Sequence, residues 1–170
     1  VAADGSILAG AFGVARAGTD LPVTTETLFE AASLTKPVFA TMTVGLSERG
    51  LLDLDGKLVD HLPPGWCPAF DLAALTPRIV LSHRTGLPNW VEPGQPPTMR
   101  SVPGQTYTYS GLGYMYLQMA VERLTGRDLQ AEFDFGLRAS IGMDLSSLVW
   151  TAPGVHPVHG ATTSGSGLAR

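Results

Sequence analysis

The sequence predicts an α+β fold in which short strands come first and helices follow. Three observations carry this. The opening VAADGSILAGAFGVARAGTD holds two runs of apolar and small residues about an Asp4-Gly5 turn, a hairpin pattern. From Phe29 to Gly50 the chain reads FEAASLTKPVFATMTVGLSERG, where Val38, Phe39, Met42 and Leu46 follow the i, i+1, i+4, i+8 spacing of a buried helix face. A second long apolar run, YSGLGYMYLQMAVERLTG, begins at Tyr109. Strands and helices do not alternate regularly, so a parallel sheet is not expected.

In chain order, the Thr-rich LPVTTETLFEAAS is an extended lead into the first helix. Pro37 fits only a first helical turn, where its missing N–H is not needed, and it pushes the residue before it away from helical angles. Ser33 therefore lies at or beside the helix start, and Gly50 supplies the stop. LLDLDGKLVDHLPPGW is a connector with a turn at Asp55-Gly56, and Thr76-Pro77 is a cap and first residue of a short helix running to His83. RTGLPNWVEPGQPPTMRSVPGQT is loop. Ser110 caps the next helix, whose expected apolar face is Met115, Leu117, Met119, Val121 and Leu124, and Gly126 ends it. Asp128 caps a further helix in RDLQAEFDFGLRASIGM, and the closing VWTAPGVHPVHGATTSGSGLAR lacks periodicity until its last residues.

These elements are expected to make a single domain over residues 1–170: a strand region at 1–32, a helix at 33–50, and a mostly helical subdomain with loops at 51–170. Two or three short strands are not stable alone, so helices or further strands must cover them.

Composition narrows the function. With 44% hydrophobic and 15% charged residues the chain can bury a core. A formal net charge of -4 and no run of Lys or Arg leave nothing to neutralise phosphates, so nucleic acid is not an expected partner. No apolar stretch reaches the roughly 18 residues of a membrane span, and the first residues lack the pattern of a signal peptide. The chain opens on Val rather than Met, so a preceding segment is expected to have been removed or left out, and the compartment stays open. Cys67 is the only cysteine, which rules out an intrachain disulfide and a cysteine metal cluster, and it reads as a small apolar filler. No metal or organic cofactor is called for.

One residue looks misplaced. Lys36 puts a cation in the first turn of an apolar helix, where the macrodipole is already positive. Ser33 and Lys36, three apart, project onto one helix face, so the amine can reach the hydroxyl. Serine needs a base to become a nucleophile, and both desolvation and a helix N-terminus disfavour the ammonium form of a lysine. The same helix start aims the Ser33 amide at a developing oxyanion. The plainer reading is that Ser33 caps the helix and Lys36 snorkels to water. Tyr107, Tyr109 and Tyr114, taken by themselves, read as half-buried aromatic packing. His83 reads as a hydrogen-bonded supporting residue, since no Gly-x-Ser-x-Gly elbow accompanies His61, His83, His156 or His159. Pro157 between His156 and His159 spoils a helical metal pair.

The segments TLFEAASLTKPVFATMTVGLSERGLLDLD, LSHRTGLP and PGQTYTYSGLGYMYL occur in that order. Together they resemble the serine β-lactamase and penicillin-binding superfamily in its class C-like branch, which includes carboxylesterases and D-amino-acid peptidases. The resemblance extends over nearly the whole chain. It implies a β-lactamase/transpeptidase-like fold, with Ser33 as the acylated nucleophile, Lys36 as its partner, and Tyr109 as the tyrosine that shares proton transfer and later helps activate water. Gly113-Tyr114 sets that register and passes over Tyr107. It also implies a small-molecule ester, β-lactam or peptide as substrate.

Two positions depart from the family pattern. Gly111 stands where the lactamases usually place an asparagine whose side-chain amide contacts substrate, which tilts the expectation toward ester hydrolysis. No Lys-Thr-Gly or His-x-Gly strand follows, and HGATTSGSGLAR resembles instead a small-residue segment and helix start. The expected chain is thus a partial domain without its C-terminal strands, of impaired activity, with uncovered apolar surface that permits self-association. The rival reading is a non-catalytic remnant that serves as a binding or structural piece.

Overall fold

Pro37 sits in the first turn of the first helix. A computed structural model describes residues 4–25, 27–63, 72–92, 95–143, 146, 148 and 161–164. Its elements are β1 (Leu28–Ala32), α1 (Thr35–Glu48), a 3-10 turn (Leu58–His61), α2 (Pro77–Leu81), α3 (Gly111–Thr125), α4 (Leu129–Gly136) and β2 (Ala161–Ser164). The chain divides into two compact units, one of Val1–Val38 with Phe133–Arg170 and one of Phe39–Glu132.

In the first unit β1 pairs antiparallel with β2, Leu28 opposite Ser164 and Phe29 opposite Thr163. A bulge between Glu30 and Ala32 bends the strand as it approaches α1. This corrects two expectations. The Asp4-Gly5 turn is present, with the Ser6 amide donating to Asp4 Oδ1 at 2.9 Å, but residues 4–25 form no strand. Among the described residues before β1 the only bridge joins Val14 and Pro22. An isolated hairpin gains too little to hold its register, and here Leu8 and Phe12 are 97% and 88% exposed. Residues 161–164, expected as a small-residue segment before a helix, instead form the strand that β1 needs.

The second unit carries the main core. Leu46 of α1, Leu58 of the 3-10 turn, Leu75, Val80 of α2, Leu87, and Leu117 and Val121 of α3 are fully buried together. α1 contributes Phe39, Met42 and Leu46, as its spacing predicts, and ends at Gly50, whose φ of 71° is the left-handed stop. The predicted caps form: Thr76 accepts from the Ile79 amide at 3.3 Å, Ser110 from Gly113 at 2.9 Å, and Asp128 from Ala131 at 2.8 Å. α2 is shorter than expected and stops at Leu81. The buried face of α3 also differs from the expected one. It is Leu112, Tyr116, Leu117, Ala120 and Val121, while Met115 is exposed. Steps of two residues wander round a helix, whereas 112, 116 and 120 share a face. α4 ends at Gly136, and turns follow in place of the longer helix expected.

Glu132, 1% exposed, is held by two arginines, Arg49 Nη2 at 3.3 Å and Arg127 Nε at 2.7 Å. Such a carboxylate is tolerated inside only because it is paired. No helix among the described residues is long and apolar enough to cross a membrane.

Candidate active site

Ser33 sits in the turn between β1 and α1, and local backbone bonds place it. The Leu34 amide donates to Ala31 O at 2.8 Å, the Lys36 amide to Ser33 O at 3.1 Å, and the Thr35 hydroxyl to Ala32 O at 2.7 Å. Ala32 has φ of 43°, a left-handed conformation that costs an L-residue on the order of 1–2 kcal/mol. That reversal leaves Ser33 exposed immediately before the helix. Lys36, one residue into α1, donates from Nζ to Ser33 Oγ at 3.1 Å. This lies within the reach of about 2.6–3.2 Å needed for direct proton exchange between a nucleophile and its base. The first turn of α1 contains no acidic residue, so no carboxylate of that turn competes with Ser33 for the amine.

Tyr109 belongs to the second unit, on the loop that enters α3, and is 38% exposed. The residues on either side of it are tied to His83: the Thr108 amide donates to His83 O at 2.7 Å and the Ser110 amide to His83 Nδ1 at 3.1 Å. Ser110 also donates from Oγ to Pro88 O at 3.0 Å while capping α3. The His83 ring lies 4.4 Å from that of Tyr109 and 4.9 Å from that of Tyr114, tilted by 30° and 31°.

The Tyr114 hydroxyl donates to the backbone carbonyl of Leu81 at 3.3 Å. Burial pushes its phenol above the ordinary value, and the neighbouring Tyr109 and Tyr107 push the same way. It therefore stays neutral at physiological pH and serves as an anchor. Tyr107 is largely exposed.

Gly111 has a structural role that its sequence context does not reveal. Its amide donates to Asn89 Oδ1 at 2.9 Å, and a Cβ there would lie 2.8 Å from both Asn89 O and Asn89 Oδ1. Any side chain at 111 would expel Asn89 from the start of α3. The only available signal for Asn89 was the glycine at 111 itself, a small residue where the family pattern has a large one.

Of the predicted residues, Ser33 and Lys36 are brought together in one unit, and Tyr109 is placed by a separate set of bonds in the other. His83 supports through hydrogen bonds, in line with the expectation for it. Cys67, His156 and His159 lie outside the described residues. Among the described residues no three His, Cys, Asp or Glu side chains converge on a common point.

The Beta-lactamase family model matches residues 1–169. Over 136 residues the chain is 31% identical to penicillin-binding protein 4* of Bacillus subtilis strain 168, covering 68% of this chain and 29% of that protein. A beta-lactamase/D-alanine carboxypeptidase from Yersinia pestis, solved with citrate, superposes with a TM-score of 0.77 at 20% identity over 92% of this chain and 56% of that one. The D-amino acid amidase of Ochrobactrum anthropi SV3, solved with L-phenylalanine amide, superposes with a TM-score of 0.70 at 25% identity over 87% and 45%. The fold is thus of the β-lactamase/transpeptidase type, and the chain spans less than a third of the matched penicillin-binding protein.

Proposed function

The chain belongs to the beta-lactamase family, and on that premise we propose that it carries the acylation site of a serine hydrolase that works through a covalent acyl-enzyme. The observation that supports this most is the 3.1 Å contact from Lys36 Nζ to Ser33 Oγ at the mouth of α1. In the proposed reaction Ser33 Oγ attacks a carbonyl carbon while its proton passes to Lys36 Nζ. The resulting oxyanion faces the Ser33 amide at the helix start. Collapse expels an alcohol or amine, which takes a proton relayed by Lys36 and Tyr109, and leaves an ester on Ser33. Water then gives up a proton to the same pair, attacks that ester and releases the carboxylic acid, and Ser33 regains its hydrogen.

For the substrate, the named activities of similar proteins point to D-amino-acid amides, carboxypeptidase-type peptides and β-lactams. Gly111 tilts the reading toward esters, because no side-chain amide at that position is available to hold a substrate amide.

Incubation with a fluorophosphonate or a penicillin, followed by intact-mass and peptide analysis, tests the proposal. One adduct on the Ser33 peptide, absent in Ser33→Ala, is expected. A folded sample that acquires no adduct favours the other reading, a non-catalytic piece of such an enzyme.

A further inference from the structure

We infer that His83 is the positioning residue for Tyr109, acting as a neutral imidazole that accepts at Nδ1 and carries its proton on Nε2. This rests on the reading of Tyr109 as the phenol that moves protons at Ser33. Three observations converge on it. Both peptide N–H groups that flank Tyr109 end on the same residue, that of Thr108 on His83 O at 2.7 Å and that of Ser110 on His83 Nδ1 at 3.1 Å. The imidazole lies against the Tyr109 ring on a 4.4 Å centroid distance and against the Tyr114 ring at 4.9 Å, with Tyr107 edge-on at 5.9 Å. Finally, His83 holds a φ of 54°, a left-handed conformation unusual for a residue with a side chain. A strained residue is retained where its surroundings over-determine it.

The tautomer follows from the bond itself. An amide N–H can donate only to a ring nitrogen that has no proton, so Nδ1 presents its lone pair to Ser110 and the hydrogen resides on Nε2. An imidazolium would place a second donor against the Ser110 N–H and open the clamp. The Nδ1 lone pair is thereby committed to the backbone. His83 contributes to the reaction by fixing the main chain on both sides of the phenol, and the Tyr114 ring, whose hydroxyl donates to Leu81 O, packs against the imidazole at 4.9 Å.

Two substitutions separate this role from general packing, because Asn and Gly both tolerate a positive φ while only Asn keeps a side-chain acceptor. The rate of Ser33 labelling by a fluorophosphonate is the readout. His83→Gly is expected to slow it about 10²-fold, the effect of a displacement of about 1 Å in a reacting group. His83→Asn is expected to recover most of that rate. In the ¹⁵N spectrum of wild type, His83 Nδ1 is expected at the shift of an unprotonated ring nitrogen. Labelling of His83→Gly at the wild-type rate, an Asn variant as slow as the Gly variant, or a protonated Nδ1 at neutral pH each overturns the inference. If wild type itself takes no label, the hydrolase reading fails and takes this role with it. A labelled wild type with indifferent variants removes this role alone.

Discussion

Ser33 and Tyr109 are placed by opposite means. Around Ser33 four bonds join residues three apart, and the bend is made by one left-handed alanine and a strand bulge. Around Tyr109 the bonds reach back 25 and 27 positions, to a loop whose own Thr85, Gly86, Leu87 and Pro88 are buried. The hydrogen bonds of the first arrangement are properties of a short sequence, and only its bulge depends on the distant β2. The second exists only while the core of Phe39–Glu132 is folded. A chain built this way can keep Ser33 and Lys36 in contact even when the loop that carries Tyr109 is damaged.

Damage to that loop should be the most destructive change. Gly86 has φ of 77°, and a Cβ there would lie 2.1 Å from Ser101 O, so Gly86→Ala combines a strained backbone with a backbone clash. We expect a loss of about 3–5 kcal/mol in urea unfolding, the sum of typical strain and overpacking costs. Truncation in the core comes next. Leu117→Ala should cost about 2–5 kcal/mol, while Leu8→Ala in the first unit, exposed at 97%, should stay within about 0.5 kcal/mol. Equal effects would erase the contrast between the units. Glu132→Ala should cost about 2–3 kcal/mol, less than a wholly buried pair, because the Arg49 and Arg127 side chains keep 42% and 34% exposure.

Smaller effects sharpen the comparison. Ala32→Gly should raise stability by about 0.5–1 kcal/mol, since glycine adopts a positive φ without strain. If thermal unfolding shows a loss instead, the turn before Ser33 is not strained as described. The smallest effect concerns Tyr114. Its folded phenol is raised above the ordinary value, so the neutral form contributes stability that is fully present below about pH 10 and is lost as pH rises through the folded value. In Tyr114→Phe the fall in stability from about pH 9 to pH 11 should be shallower than in wild type.

What could be read from the sequence follows the same division. Pro37, Gly50 and Gly126, the caps Thr76, Ser110 and Asp128, and the Ser33–Lys36 pair were legible because each acts within one turn of helix. The pairing of β1 with residues 161–164 was not, because no local pattern specifies a partner more than a hundred positions away. The buried face of α3 is legible only in part for a related reason: Leu117 and Val121 are buried as expected, but 115 and 119 are apolar too, and only the packing of the core selects 112, 116 and 120 in their place. Asn89 left no trace except the absent side chain at Gly111. His83 was legible as a supporting residue, but its two-sided hold on Tyr109 needed the fold.

The central claim is that Lys36 activates Ser33 through their direct contact. The acylation rate of Ser33 in Lys36→Ala, measured beside an unfolding curve, tests it most directly. A rate about 10²–10⁴ below wild type in a variant of unchanged stability is the predicted result. An acylation rate equal to that of wild type would show that the amine takes no part.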